Sequence, residues 1–151
     1  MNSTTESPLG KDKETSNSSL DVRIILAVLW IVGMLSSLNG DTYRLNDTVA
    51  LKALLDNTGP IVASSGLLLI MSIIFAGHVF MGALSVMLKA SVSRWANRIV
   101  GIVYAVIILG FWVLGFVMGS PTGYWLVWST AQLVFALLVV WYAWKWKNTQ
   151  V

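Results

Sequence analysis

The stretch that decides the fold is Ile61–Leu88, IVASSGLLLIMSIIFAGHVFMGALSVML, which carries no formal charge and no proline. Its one ionisable side chain is that of His78. A helix of this length spans about 42 Å, which exceeds the hydrocarbon core of a bilayer at about 30 Å. The stretch is therefore predicted to cross a membrane as a helix that is tilted or overhangs at one end.

The composition also indicates a membrane protein. Of the 151 residues, 56% are hydrophobic and 11% are charged, which are too few charges to cover a soluble domain. The net charge of +3 comes from dispersed basic residues near helix ends, so it favours orientation and headgroup contact over nucleic-acid binding. The absence of cysteine excludes disulfides and thiolate metal sites.

The hydropathy pattern predicts an all-α membrane protein, a four-helix transmembrane bundle with up-down-up-down topology. The predicted helices are residues 22–39, 61–88, 97–118 and 124–146, in a transmembrane domain of residues 21–147. Residues 1–20 are polar and are predicted to form a disordered cytoplasmic tail. In the first loop, Thr48–Asp56 is predicted to form a short amphipathic helix. It is either a lid over a cavity or, the favoured interpretation, a helix lying among headgroups.

Basic residues set the predicted orientation. If both termini are cytoplasmic, the inner segments hold eight of them, namely Lys11, Lys13, Arg23, Lys89, Arg94, Arg98, Lys145 and Lys147. The outer segments hold Arg44 and Lys52. Because basic residues favour the cytoplasmic side of short loops, the chain is predicted to be a multi-pass protein of the cell (inner) membrane with both termini cytoplasmic.

Helical spacing predicts which side of helix one faces the other helices. One face holds Arg23, Ala27, Trp30, Met34, Ser37 and Asp41, and this face is expected to pack inward. Ile25, Val32 and Ser36 lie on the opposite side and are expected to face lipid.

Few residues in the predicted spans could carry catalysis. His78 stands alone, with no acidic residue in any predicted span to complete a metal site or a Ser-His-carboxylate arrangement. No glycine-rich phosphate loop and no pair of buried carboxylates occur. The chain is therefore predicted not to be an enzyme and to need no cofactor or metal. The nearest acid, Asp41, is expected at the outer end of helix one, in or near headgroups.

One candidate cavity remains near the membrane midplane. His78 and Gln132 are expected to face the same interior and to hydrogen-bond directly or through water. Trp30 and Tyr104 are candidates to line the same cavity, and Asp41 is its candidate acid. An ionisable group inside a membrane is a functional candidate. The alternative, which is favoured, is a neutral histidine that holds helices together at about 1 kcal/mol.

A second candidate site lies at the start of helix three, in Arg94-Trp95-Ala96-Asn97-Arg98. Arg94, Asn97 and Arg98 could bind an anion or a lipid headgroup phosphate at this helix start. The favoured alternative is a topology anchor, with Trp95 in the membrane interface and Asn97 near the helix cap.

These residues also carry a resemblance. Leu29-Trp30-Ile31 leads to Gly40-Asp41-Thr42-Tyr43, and Arg94-Trp95-Ala96-Asn97 follows at the head of helix three. This pattern resembles a family of uncharacterised small bacterial four-helix integral membrane proteins, a domain-of-unknown-function family. The resemblance covers about Val22 to Trp146 and implies the fold and an inner-membrane or plasma-membrane location. It implies no activity.

The functional prediction follows from these observations. The chain is predicted to be a non-enzymatic integral membrane protein that contacts the lipid bilayer and packs against itself or a membrane protein partner through glycine- and serine-bearing faces. The alternative is a small transporter or ligand-binding bundle with a midplane cavity around His78 and Gln132.

Overall fold

The computed structural model describes residues 8–58, 64–118 and 123–146, with side chains from residue 21 onward. Over these residues the chain forms five helices and no strand: α1 (Pro8–Asn46), α2 (Thr48–Leu55), α3 (Ser65–Met87), α4 (Ala90–Val117) and α5 (Gly123–Lys145). The predicted all-helical class is confirmed.

Four helices are long and apolar enough to cross a membrane. They are Asp21–Asn46 within α1, together with α3, α4 and α5. Each of them exposes large hydrophobic side chains on its outer side, such as Ile73, Phe80 and Val106. So much exposed apolar surface is unfavourable in water, and it fits a multi-pass membrane protein of the predicted kind.

The ends of α1 differ from the prediction. The helix begins at Pro8 rather than Val22, so residues 8–20, predicted to be disordered, continue it, while residues 1–7 lie outside the described residues. Proline suits the first position of a helix, and extending a helix that is already nucleated is easy. α1 also continues through Gly40 to Asn46. Gly40 lies inside this helix and close to α5, since a Cβ on it would be 3.4 Å from the Cβ of Trp128.

The other helix bounds lie nearer to their predictions. α2 lies where a short helix was predicted, with Asp47 as its N-cap. α3 follows its N-cap Ser64, and residues 61–63 of the predicted span lie outside the described residues. α4 begins seven residues earlier than predicted because only Leu88 and Lys89 separate it from α3. α5 agrees with its prediction to within one residue at each end.

The packing order places α1 between α3 and α5, while α4 packs along α5 and α3 meets α4. Along α1, Arg23 meets the end of α3 and Trp30 meets His78. In the described part of the chain, α3 and α5 do not contact each other. The buried hydrophobic core consists of Leu26, Trp30, Met81, Tyr104, Ile108, Val139, Ala143 and Trp146.

The buried surface of α1 is wider than the one predicted face. Ser36, predicted to face lipid, is only 3% exposed, and its hydroxyl donates to the carbonyl of Val32. Asp41, predicted to pack inward, is exposed. The reason is that α1 packs between two helices, so two of its sides are covered. A prediction that assigns one inward face to a helix misses this.

The two ends of the bundle differ in their side chains and are named here for them. The arginine end contains Arg23, Lys89, Arg98 and Lys145, which lie where α3 and α5 end. The α2 end contains Asp41, Arg44, Asp47 and Tyr124, which lie where α1 ends and α5 begins.

Candidate functional site

Three of the five predicted cavity residues meet in the core. Trp30, His78 and Tyr104, here called the aromatic trio, are buried and contact one another edge to face. Their ring centroids are 4.4 Å apart for His78 and Tyr104, 5.1 Å for Trp30 and Tyr104, and 5.4 Å for Trp30 and His78. The rings come from α3, α4 and α1, so the trio joins three helices. Each such pair contributes about 0.5–1.5 kcal/mol beyond its buried area.

The carbonyl oxygen of Ile74 ties the trio to the backbone of α3. The hydroxyl of Tyr104 donates to it at 2.7 Å, and Nδ1 of His78 lies 3.1 Å from it. Because a carbonyl oxygen only accepts, the partner assigns the proton of a neutral His78 ring to Nδ1. The remaining ring nitrogen, Nε2, is then an acceptor.

Gly77 makes this arrangement possible. A Cβ at this position would lie 2.0 Å from Oη of Tyr104, so a side chain here would force the tyrosine hydroxyl to move. With glycine there, the tyrosine hydroxyl passes close to the backbone of α3 and reaches Ile74. Glycine one residue before His78 therefore leaves the space that the Tyr104 hydroxyl occupies.

Gln132 does not join the trio. Phe135 lies beside Gly33 and Trp128 lies beside Gly40, so Gln132 is level with residues 36–37 of α1. His78 is level with Trp30, about six residues away, or about 9 Å along the helix. In the described part of the chain α3 and α5 make no contact, and no direct hydrogen bond joins His78 and Gln132. The predicted direct pairing is therefore wrong, because α1 separates the two side chains.

The chemical capacity of the trio is small. The three rings pack against one another, which leaves no room for a ligand between them. The hydroxyl of Tyr104 already donates a hydrogen bond to a backbone carbonyl, that of Ile74. Among the described residues, no group of three or more histidine, cysteine or acidic side chains could hold a metal ion. The arrangement as it stands joins helices.

Asp41 lies in a different place from the trio. It lines a cavity of about 230 Å³ at the α2 end. The other lining residues are Arg44, Leu45, Ala50, Leu51 and Leu54. The five predicted cavity residues therefore fall into a buried aromatic cluster, a separate glutamine and an acid in a second cavity.

Asn97, a predicted headgroup ligand, is a fully buried junction between helices instead. It is 0% exposed, and its Oδ1 accepts from Nε1 of Trp30 at 2.7 Å and from the hydroxyl of Ser85 at 3.1 Å. Its Nδ2 donates to the carbonyl of Ser93 at 2.8 Å. The hydroxyl of Ser93 in turn donates to the carbonyl of Ser85 at 2.9 Å. With its amide used in this way, Asn97 has no group directed to a lipid phosphate.

Two arginines cap helices at the arginine end. Arg23 donates from Nε to the carbonyl of Ser85 at 3.1 Å, and its guanidinium also donates to the carbonyls of Val86 and Leu88. These carbonyls belong to the last turn of α3 and to its C-cap, Leu88, where no further helical N–H is available to them. A cation there is also favoured by the helix dipole. Arg23, on α1, therefore satisfies the C-terminus of α3.

Arg98 does the same for α5. Its Nε donates to the carbonyl of Ala143 at 2.9 Å and its Nη2 to that of Trp144 at 3.4 Å. The guanidinium also lies over the ring of Trp144, 4.9 Å from the centroid. Arg94, beside it in sequence, is buried and takes part in an interaction of its own. Arg98, like Asn97, is thus occupied within the protein.

The sequence prediction missed Ser93, the partners of Ser85 and the capping roles. Ser93 and Asn97 are spaced i, i+4 and so share a face of α4, which was the available signal. Ser85 is brought to them by the short turn through Leu88 and Lys89. The sequence indicates the capping arginines less clearly. An arginine near a membrane boundary looks the same in sequence whether its side chain contacts a lipid phosphate or a backbone carbonyl.

Asp47 fixes the α2 end. Its Oδ1 accepts from the backbone N–H groups of Val49 and Ala50, which caps α2, and its Oδ2 accepts from the hydroxyl of Tyr124 at 3.1 Å. These hydrogen bonds hold the pKa of Asp47 below its usual value. The N–H of Ala50 contributes most, followed by the Tyr124 hydroxyl and then the N–H of Val49. One carboxylate therefore links α1, α2 and α5.

Comparison with known proteins agrees with the resemblance seen in the sequence. No curated protein and no solved structure matches the chain. A family model described as a family of unknown function (DUF6326) matches residues 18–151, which include every helix except the first turns of α1. The chain belongs to this family of unknown function.

Proposed function

We propose that this chain is a non-enzymatic multi-pass membrane protein that packs against another membrane protein or further copies of itself. The observation that supports it most is the use of buried polar side chains. Asn97, Arg23 and Arg98 form hydrogen bonds between helices of the same chain. Freeing these groups would leave a buried amide and the last carbonyls of two helices unsatisfied, so they are poorly placed to turn over a substrate.

The proposed topology has four crossings in alternating direction. Its support is the order of contacts: from Arg23 to Trp30 along α1, the partners on α3 run from Leu88 back to His78. The contacts of α5 with α1 and with α4 are also antiparallel, because residue numbers fall along α5 as they rise along either partner helix. Alternating helices joined by short loops form an up-and-down bundle.

The proposed location is the cell (inner) membrane with the arginine end in the cytoplasm. The gathering of Arg23, Lys89, Arg98 and Lys145 at that end supports this orientation, because basic residues are retained on the cytoplasmic side. α2 would then lie at the outer surface. Val49 and Leu55, at 78% and 72% exposed, give α2 an apolar outer side that suits the headgroup boundary.

The surface offered to a partner is constrained by the glycines. A Cβ on Gly77, Gly82 or Gly101 would meet side chains of other helices in this chain, so those glycines are used internally. Around Gly110 on α4 there is open space, and exposed Val106 and Val113 lie one turn to either side. A close approach by a partner helix is easiest there.

Crosslinking and native mass spectrometry of the full chain in a mild detergent test the proposal. A dimer or a stable complex with another membrane protein is expected, and Gly110→Leu should weaken it. Gly66→Leu is the matched control, since Gly66 also has open space around it but lies at the start of α3. A strictly monomeric particle, extracted with no partner, would count against the proposal.

The second candidate is a small transporter or ligand-binding bundle. The observation that favours it is that Trp30, His78 and Tyr104 do come together from three helices. If a ligand opens this cluster, some compound in a broad panel should raise the melting temperature of the wild type, and His78→Ala should abolish the shift. Absence of any shift in the wild type would remove this candidate.

A further inference from the structure

The cavity at the α2 end has two kinds of surface. Its volume is about 230 Å³, and Leu45, Leu51 and Leu54 supply apolar walls from the last turns of α1 and from α2. Asp41 and Arg44, both on α1, supply one negative and one positive group. A cavity with apolar walls and an opposed pair of charges suits an amphipathic molecule that carries both signs of charge.

The two charges are close to each other and still available. They are spaced i, i+3 on one helix, so their Cβ atoms are about 5–6 Å apart. The charge of Arg44 acts on Asp41, but neither side chain makes a hydrogen bond to another described residue. Both are therefore able to pair with a ligand. Asp41 and Arg44 differ in this from Arg23 and Arg98, which donate hydrogen bonds to backbone carbonyls.

The depth of the cavity matches a headgroup layer. Asp41 follows Arg23 by 18 residues of the same helix, or about 27 Å, which is close to the thickness of the hydrocarbon core. Arg23 lies where α3 ends, at one membrane boundary of the proposed topology. Asp41 and Arg44 then lie at the other boundary, where the phosphates and head amines of lipids are found.

We propose that this cavity binds an aminophospholipid of the phosphatidylethanolamine type, and this rests on the membrane location given under Proposed function. Arg44 pairs with the lipid phosphate and Asp41 with the primary ammonium two carbon atoms away. The leucine walls contact the glycerol and the first acyl carbons. A trimethylated head amine has no N–H to donate to Asp41, and a glycerol headgroup has no positive charge to match it.

Lipid titration of the purified full chain in a nonionic detergent, followed by native mass spectrometry, tests the proposal. The probes are short-chain phosphatidylethanolamine, phosphatidylcholine and phosphatidylglycerol. The wild type is expected to bind the ethanolamine lipid about tenfold more tightly than the other two, which is the size of one hydrogen bond to a charged group. Asp41→Asn should remove this preference, and Arg44→Gln should weaken all three lipids about tenfold.

Two control variants test whether charge alone is responsible. Lys52→Gln and Asp56→Asn change charges on or beside α2 that do not line the cavity, and neither should alter the preference. Leu54→Phe keeps both charges but fills the cavity, so it should weaken all three lipids. Soluble phosphoethanolamine, which lacks acyl chains, should not displace the lipid at equal concentration.

Several outcomes would overturn the proposal. These are equal binding of the ethanolamine and glycerol lipids by the wild type, a preference that survives Asp41→Asn, and full displacement by phosphoethanolamine. Carbonate extraction of membranes that carry the same variants tests separately whether the chain is an integral membrane protein. It therefore distinguishes failure of the lipid site from failure of the proposed membrane function. If the chain resists extraction but shows no headgroup preference, only the lipid site is wrong.

Discussion

The arginine end and the α2 end treat their polar side chains in opposite ways. Next to Arg98 of the arginine end, Asn97 is fully buried, and both its amide oxygen and its amide nitrogen have partners in the protein. At the α2 end, Asp41 and Arg44 line an open cavity, and α2 has no buried residue. Because Asn97 is enclosed by α1, α3 and α4, its partners must come from the protein, whereas Asp41 and Arg44 are exposed and can be satisfied by water or lipid. One end is therefore built for stability and the other for contact with its surroundings.

The largest effect is expected from Asn97→Leu, which breaks the arginine end. The change leaves the indole N–H of Trp30 and the hydroxyls of Ser85 and Ser93 with fewer partners. At about 1–3 kcal/mol for each unsatisfied group, the free energy of unfolding should fall by about 3 kcal/mol. Asn39→Leu is the matched control, because Asn39 is exposed and, among the described residues, bonds to Leu35 of its own helix. Unfolding in mixed micelles measures both, and equal effects would contradict the contrast between the ends.

Gly77→Ala comes next and probes the aromatic trio, which Trp30 connects to the arginine end. The new Cβ would overlap the hydroxyl of Tyr104 and displace it from Ile74, at a cost of about 2 kcal/mol. Gly110→Ala, in open space, should leave stability unchanged or raise it by up to about 1 kcal/mol.

A double-mutant cycle sharpens this test. Tyr104→Phe removes the hydroxyl that the new Cβ meets, so Gly77→Ala should cost less in that background than in the wild type. The coupling is read from the same unfolding measurements. Strict additivity would mean that the overlap with the hydroxyl is not what makes glycine necessary at this position.

Arg98→Gln has a smaller expected effect, of about 1 kcal/mol. It removes the charge at the C-terminus of α5 and the contact with the ring of Trp144. Lys145→Gln removes a cation whose one contact of this kind within the described part of the chain is with the ring of Trp141, and it should cost less than half as much. Thermal unfolding of both variants in the same detergent checks the order. If Lys145→Gln cost as much, the capping of α5 would not distinguish Arg98 from any other cation at this end.

Much of the fold could be predicted from sequence because hydropathy does not depend on which helices are neighbours. The apolar run Ile61–Leu88 shows a span whatever it packs against. The aromatic trio could also be predicted, because Trp30, His78 and Tyr104 each lie on the polar or aromatic side of their own helix. The pairing of His78 with Gln132 failed because depth alone does not reveal that α1 lies between α3 and α5.

The roles of the polar residues at the helix ends could not be predicted in the same way. Arg98 and Asn97 stand beside Trp95 at the start of a span, a pattern that indicates an anchor facing lipid. Their actual partners are the carbonyls of α5 and the side chains of α1 and α3, which a different part of the sequence supplies. Similarly, Gly40 indicates a helix end locally, but its contact with Trp128 keeps it inside α1.

The smallest effect concerns Asp47, a carboxylate at the α2 end that accepts hydrogen bonds from α2 and from Tyr124. Since its folded-state pKa is lowered, chiefly by the N–H of Ala50 and then by the hydroxyl of Tyr124, its contribution to stability is present above the unfolded value near 3.8. That contribution is lost as the pH falls through the lower, folded value. The amide chemical shifts of Val49 and Ala50 should therefore titrate with a midpoint below 3.8.

Asp47→Asn separates the charge from the cap. Asparagine is as good an N-cap as aspartate but does not titrate in this range, so α2 should persist while the acid transition disappears. Asp56→Asn, at the far end of α2, should leave the transition in place. A midpoint at or above the usual aspartate value in the wild type would mean that the bonds from α2 and Tyr124 do not hold in solution. The α2 end would then be open throughout, and its contrast with the arginine end would be greater than the structure indicates.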